Sequence, residues 1–131
     1  MNANDVIQYI GKPHKPGGEG PDAYDCWHLL RHLQAKHFNV EMPIAPIGDE
    51  DACLALFKEK VESGDWATLA APEHGCGALL RGGRWPHVGI YLDIDGGGIL
   101  HALEGPGIVW TKLSALRVMG FGRTTYYRVS K

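Results

Sequence analysis

The chain has no long apolar run, no excess of basic charge and few cysteines, and each absence removes a class of protein. No segment approaches the roughly 20 apolar residues that a membrane-spanning helix requires, so no membrane insertion is expected. The first thirty residues hold no apolar stretch behind a basic start. No signal peptide is read there, and synthesis in the cytoplasm is the expectation. Thirteen Lys and Arg face fifteen Asp and Glu, leaving a net charge of -2 with seven histidines set aside. That balance supplies no positive field for nucleic acid or an anionic membrane. Three cysteines, at 26, 53 and 76, cannot all pair within the chain, and none forms a C-x-x-C. Neither a disulfide framework nor a zinc knuckle is indicated, and each is read as a free thiol. No internal repeat or linker divides the 131 residues. Residues 1–131 are therefore read as one domain, long enough to bury a working core.

Glycine, by contrast, is plentiful. Of eighteen glycines, twelve gather at 17–20, 75–77, 82–83, 96–98 and 105–107, where they punctuate short elements as turns. Asn4-Asp5 can cap a first helix carrying Val6, Ile7 and Ile10, which Gly11 and Pro13 stop. A second helix starts at about Asp25 or Cys26 with an apolar stripe of Leu29, Leu30, Leu33 and Phe38, leaving Arg31, Gln34 and Lys36 elsewhere on the wheel. Two prolines in 41–47 argue for an extended surface connection. A third helix from about Asp49 to Glu62 opens with acids and closes near lysines, as the helix dipole favours, and Cys53, Leu54, Phe57 and Val61 form its apolar face. Strand-like runs follow at 66–69, 77–80, 87–92, 99–103, 108–113 and 125–129, with a helical turn at 114–119. Helices first and strands afterwards predict an α+β fold, its N-terminal helices packed on a mainly antiparallel sheet of about five or six strands.

Chemistry concentrates where the Gly/Pro-rich approach meets the second helix. Cys26 stands at that helix start, where unpaired N–H groups carry positive partial charge and favour a thiolate. Alternation along His87-Val88-Gly89-Ile90-Tyr91-Leu92 puts His87, Gly89 and Tyr91 on one face and the aliphatic residues on the other. The 93–98 segment is turn chemistry, so this run and Ile99–Leu103 form a hairpin. A turn centred near Ile94 sets His87 opposite His101, with Cβ atoms about 4.5–5.5 Å apart. A thiolate needs an adjacent base, and that base needs a polar partner to hold its tautomer. Cys26 is the candidate nucleophile, His87 the base and acid, and His101 the group that orients His87. The helix-start N–H groups are candidates for the oxyanion hole. Tyr24 is a further candidate donor there, and Trp27 and Trp85 are candidate walls of the substrate groove. Gly89 leaves room beside His87 for substrate or the helix end.

His28 and His32 share a helix face at i, i+4, with Cys26 or His74 as a conceivable third metal ligand. No zincin glutamate accompanies them, so neither a metal nor another cofactor is expected. His14, His37 and His74 read as surface residues. Cys76 lies in a turn without a helix start to acidify it.

Asp25-Cys26 ahead of an apolar helix, then His87-Val88-Gly89-Ile90-Tyr91, a Gly-rich turn and Leu100-His101-Ala102 together resemble the NlpC/P60 family of cysteine peptidases. Residues 20–27, Trp85-Pro86-His87-Val88-Gly89, the run from Glu104 to Val109 and Tyr126-Tyr127-Arg128 resemble its phage and prophage tail-assembly branch. The likeness extends from Val6 to Arg128 in the family's order and spacing. It implies a papain-like fold, a triad of Cys26, His87 and His101, and hydrolysis of peptidoglycan stem peptides between D-γ-glutamyl and diaminopimelate. It also implies that Asp25 contacts the free amine of an N-terminal L-alanine, that the protein works in a virion tail, and that other tail proteins are its partners. A rival reading is a structural tail-assembly protein with little or no catalysis. The chain departs from the family at His28, where a small residue is usual, and at Gly75-Cys76-Gly77, where Gly-Asp is usual. The SH3-like domain that often accompanies relatives selecting a free L-alanine amine is not read in these residues, and none is expected. These departures bear on substrate preference, and His28 is expected to crowd the cleft.

Overall fold

The computed structural model describes residues 1–44, 50–82 and 87–129, with side chains at 50–54 outside the description. Among the described residues, α1 (Ala3–Tyr9), α2 (Cys26–Phe38) and α3 (Glu50–Glu62) precede β1 (Trp66–Leu69) and β2 (Gly77–Arg81). Then come β3 (His87–Leu92), β4 (Gly98–Leu103), β5 (Gly107–Lys112), a short 3-10 turn (Leu113–Ala115) and β6 (Arg123–Val129). The strands form one antiparallel sheet in the order β1-β6-β2-β3-β4-β5. This is the α+β architecture expected from the order of the periodic segments. No helix among the described residues is long and apolar enough to cross a membrane.

The sheet buries both faces. Leu79, Val88, Ile90, Leu92, Leu100, Ala102 and Ile108 meet the helices through Val6, Tyr9, Trp27, Leu29, Leu30, Leu33 and Phe57. On the opposite face, Cys76, Ala78, Leu80, Tyr91 and Ile99 pack with Leu116 under Leu113, Phe121 and Tyr126. Alternation thus sorts the residues of β3 correctly, although the histidine face is covered as well.

Several local expectations are corrected. Helix α1 is capped by Asn2, not by Asn4-Asp5: the Asn2 side chain accepts from Asp5 N–H, and the Asp5 carboxylate returns to Asn2 N–H at 2.8 Å. That reciprocal box satisfies two otherwise orphaned donors. Met42, within the supposed surface connection, is buried beside α2. Gln34, placed on the polar side of the wheel, is only 1% exposed and donates to Gly75 O at 2.8 Å. The hydrogen bond offsets the cost of burying the amide and ties α2 to the approach to β2. The expectations for Cys53, Leu54 and residues 45–47 lie outside the described residues.

The β3–β4 register also differs. Leu92 pairs with Gly98, Tyr91 with Ile99 and Ile90 with Leu100, so the turn is centred on Asp95. Asp95, Gly96 and Gly97 all adopt positive φ, and Gly97 N–H bonds to Ile94 O. Continuing the register sets Gly89, not His87, opposite His101. A Cβ at Gly89 would lie 2.6 Å from Ile99 Cγ2 and 3.0 Å from His101 Cβ. The room expected there for substrate or a helix end is taken by these two β4 side chains.

Candidate active site

Cys26 is the first residue of α2, and Asp25 is its cap, with extended backbone and a carboxylate accepting from His28 N–H. A loop from Gly11 to Ala23 anchors this corner. Gly11 N–H bonds Ile108 O and Ile108 N–H bonds Lys12 O, which fastens the loop to the start of β5. Tyr24 N–H donates to Pro13 O, Lys15 N–H to Tyr24 O, and Asp25 N–H to Gly18 O. Because Gly107 pairs with Leu103, the start of β5 lies at the end of the sheet where β4 finishes and β3 begins. The backbone therefore brings the cysteine corner to the end of the sheet that carries His87. Cys26 itself is partly buried against the helix-side core.

His87 and His101 are diagonal neighbours, yet their rings meet: His87 Nε2 and His101 Nδ1 are 2.8 Å apart. His101 Nε2 lies 2.9 Å from Thr111 Oγ1, whose hydroxyl donates to Met119 Sδ at 3.3 Å. That sequence of partners assigns the protons. With its own proton toward Met119, Thr111 accepts from His101 Nε2–H. His101 Nδ1 then accepts from His87 Nε2–H, and the lone pair of His87 is left on Nδ1. The Phe121 ring stacks on His87 with centroids 5.5 Å apart and planes within 14°, and meets His101 edge-on. The aromatic cover holds the imidazoles in a poorly hydrated slot.

Burial pushes His87 down to about 3, and the neighbouring His101 and then His14 act in the same direction. Burial alone pushes His101 down to about 4. Desolvation penalises a charged ring, so both imidazoles are neutral at neutral pH. A neutral His87 with a free Nδ1 is chemically a base. His14, read from sequence as a surface residue, bridges in β fashion to Tyr24 and is near enough to influence His87.

Other expected site residues fall elsewhere. Trp27 has no exposed surface, stacks on Trp66 at 6.0 Å, and donates Nε1–H to Pro43 O, so it presents no ring face as a groove wall. Tyr24 is 1% exposed among Tyr9, His32 and the Gly20 backbone, where a Cβ would collide with the Tyr24 hydroxyl. Trp85 lies outside the described residues. His28 does not crowd a cleft: it is buried and its ring is turned back onto Asp25. His32 is committed to Tyr9, which also bonds His37. Among the described residues, no group of three or more His, Cys, Asp or Glu is placed to hold a metal ion. Thr111, Met119 and Phe121 were not anticipated. The one signal for Thr111 was a polar residue closing the apolar run Ile108–Trp110, and its pairing with Ile99 sets it on the histidine face.

The profile of the NlpC/P60 family matches residues 11–119. Among solved structures, NlpC1 from Trichomonas vaginalis is similar with a TM-score of 0.64 and 18% identity, covering 97% of this chain and 42% of the other. The chain thus spans less than half the length of that protein. The NlpC/p60 domain of the peptidoglycan hydrolase SagA is similar with a TM-score of 0.58 and 21% identity, covering 94% of this chain and 92% of the other. At these identities the structural likeness is one of fold. No curated protein sequence matches the chain.

Proposed function

The chain belongs to the NlpC/P60 family, and from that premise we propose that it is a cysteine peptidase of bacterial peptidoglycan, cutting stem peptides at the D-γ-glutamyl–diaminopimelate bond. The observation that carries this reading is the run of hydrogen bonds from His87 through His101 to Thr111, at the sheet end to which the Cys26 corner is fastened. His87 Nδ1 takes the Cys26 proton as sulfur attacks the scissile carbonyl. The helix-start N–H groups of α2 receive the oxyanion. Collapse of the tetrahedral intermediate expels the amine, which His87 protonates. Water, deprotonated by the same nitrogen, then releases the acyl group from Cys26. His101 keeps His87 in the working tautomer throughout, and Asp25 borders the substrate cleft.

Resemblance of residues 20–27 and 104–109 to tail-assembly relatives supports action in a phage tail, together with other tail proteins. Co-purification with tails tests that part. Catalysis is tested by incubating the protein with purified peptidoglycan fragments and identifying products by mass. Cleavage is expected between D-γ-glutamyl and diaminopimelate, and both Cys26→Ala and His87→Ala abolish it. Full activity in Cys26→Ala would refute the mechanism, and an inert wild type would favour the structural tail-protein reading.

A further inference from the structure

Asp25 and His28 form a pair to which the mechanism above gives no joint role. His28 is the third residue of α2, 1% exposed, with its ring folded back over the cap. Its Nδ1 lies 2.8 Å and 3.0 Å from the two Asp25 carboxylate oxygens. A carboxylate offers only acceptors, so Nδ1 carries the proton and donates. The His28 backbone N–H adds a bond of 2.7 Å to Oδ1, and Gly17 N–H adds one of 3.1 Å to Oδ2. Helix and loop together hold this carboxylate with three donors.

The carboxylate immediately precedes Cys26, where two electrostatic influences oppose one another. The helix start favours a thiolate, while an anion next in sequence disfavours it. At the third helical position the usual side chain returning to the cap is Glu or Gln, and a Glu would bring a second negative charge. His28 brings a proton donor spanning both oxygens, in a place where burial limits screening by water. We propose that His28 is a positioning residue that clamps and partly neutralises the Asp25 carboxylate, so that Cys26 retains the acidity its place at a helix start provides. This rests on Cys26 as the nucleophile. The other charged and titratable groups at the corner are Glu19, paired with Arg31 at 3.7 Å, then Asp22 beside Tyr24, His14 bridged to Tyr24, and His87 of β3. None of these groups is itself altered when position 28 alone is changed.

The test is the pH dependence of Cys26 alkylation by iodoacetamide, read by mass on the Cys26 peptide. It compares the full chain with its His28→Leu and His28→Asn variants. Asn can place an amide N–H where Nδ1 stands. His28→Leu is expected to move the Cys26 profile upward and slow alkylation near neutral pH about tenfold, one pKa unit, while His28→Asn recovers most of the rate. Coincident profiles for all three proteins would overturn the proposal, as would equal slowing in both variants. Cys76, buried with its thiol pushed up by desolvation, stays slow while the fold is intact. If His28→Leu makes Cys76 reactive and so reports unfolding, His28→Ala takes its place beside His28→Asn: slowing in Ala that Asn recovers upholds the proposal, and coincident or equally slowed profiles overturn it. Alkylation needs no substrate. A protein that shows the shift but cuts no wall peptide keeps this role for His28 and loses the peptidase reading.

Discussion

At the scale of single residues, Thr111 is the end of the histidine chain. Its hydroxyl gives His101 Nε2–H an acceptor in a site from which His101 has no access to water. Thr111→Val keeps the shape and removes that acceptor, leaving a buried donor unsatisfied at about 1–3 kcal/mol. The tautomer of His101 is then free to change, so turnover of a stem peptide is expected to fall about tenfold, while Thr111→Ser retains activity. Unaltered kcat in Thr111→Val would remove Thr111 from the mechanism. His87 and His101 were legible in the sequence because alternation and a glycine turn suffice to put them on one face. Thr111, Met119 and Phe121 were not legible, because their approach depends on the β5 register and on the return of 113–121 across the sheet. Trp27 was misread for a related reason: adjacency to Cys26 in sequence says nothing about which way a helical side chain points.

At the scale of elements, the decisive feature is the close approach of β3 and β4 at Gly89. Gly89→Ala would set a methyl group 2.6 Å from Ile99 Cγ2 and 3.0 Å from His101 Cβ. Gly89 is paired to Ala78 of β2 and His101 to Val109 of β5, so the two strands cannot readily part, and a loss of about 1–3 kcal/mol is expected in urea unfolding. Wild-type stability in Gly89→Ala would show that the pair opens easily. Helix α2 has its own test. Gln34→Leu removes the donor to Gly75 O, and a comparable loss of about 1–3 kcal/mol is expected from the stranded carbonyl. Strand existence was readable from alternation and glycine punctuation, and the start of α2 from the point where the Gly/Pro-rich approach gives way to an apolar stripe. The hairpin register was not, because three successive positive-φ residues lengthen the turn in a way composition alone does not specify.

At the scale of the whole molecule, several histidines are held neutral. Burial is the leading cause of the lowered values of His87, His101, His32 and His37 relative to the ordinary 6.5. The unfolded chain binds protons at a higher pH than the folded chain does. The contribution of these histidines to stability is therefore present above about pH 6.5 and is lost as pH falls toward the folded values. At about pH 5, His101 alone, which has no exposed surface, accounts for a loss on the order of 2 kcal/mol. Urea midpoints at about pH 7.5 and about pH 5 are expected to differ in that sense, and equal midpoints would contradict neutral burial.

The strand order has a temporal consequence. Strand β6 is the last in sequence among the described residues, yet it lies between β1 and β2. During synthesis the β3–β4 hairpin can close early, whereas one edge of β2 remains an open template until the residues near Val129 emerge. Pairings of such long sequence separation are slow, and an unpaired edge invites association with other chains. A ribosome making this protein would thus expose the Cys26-bearing helix well before the sheet that carries His87 and His101 is complete.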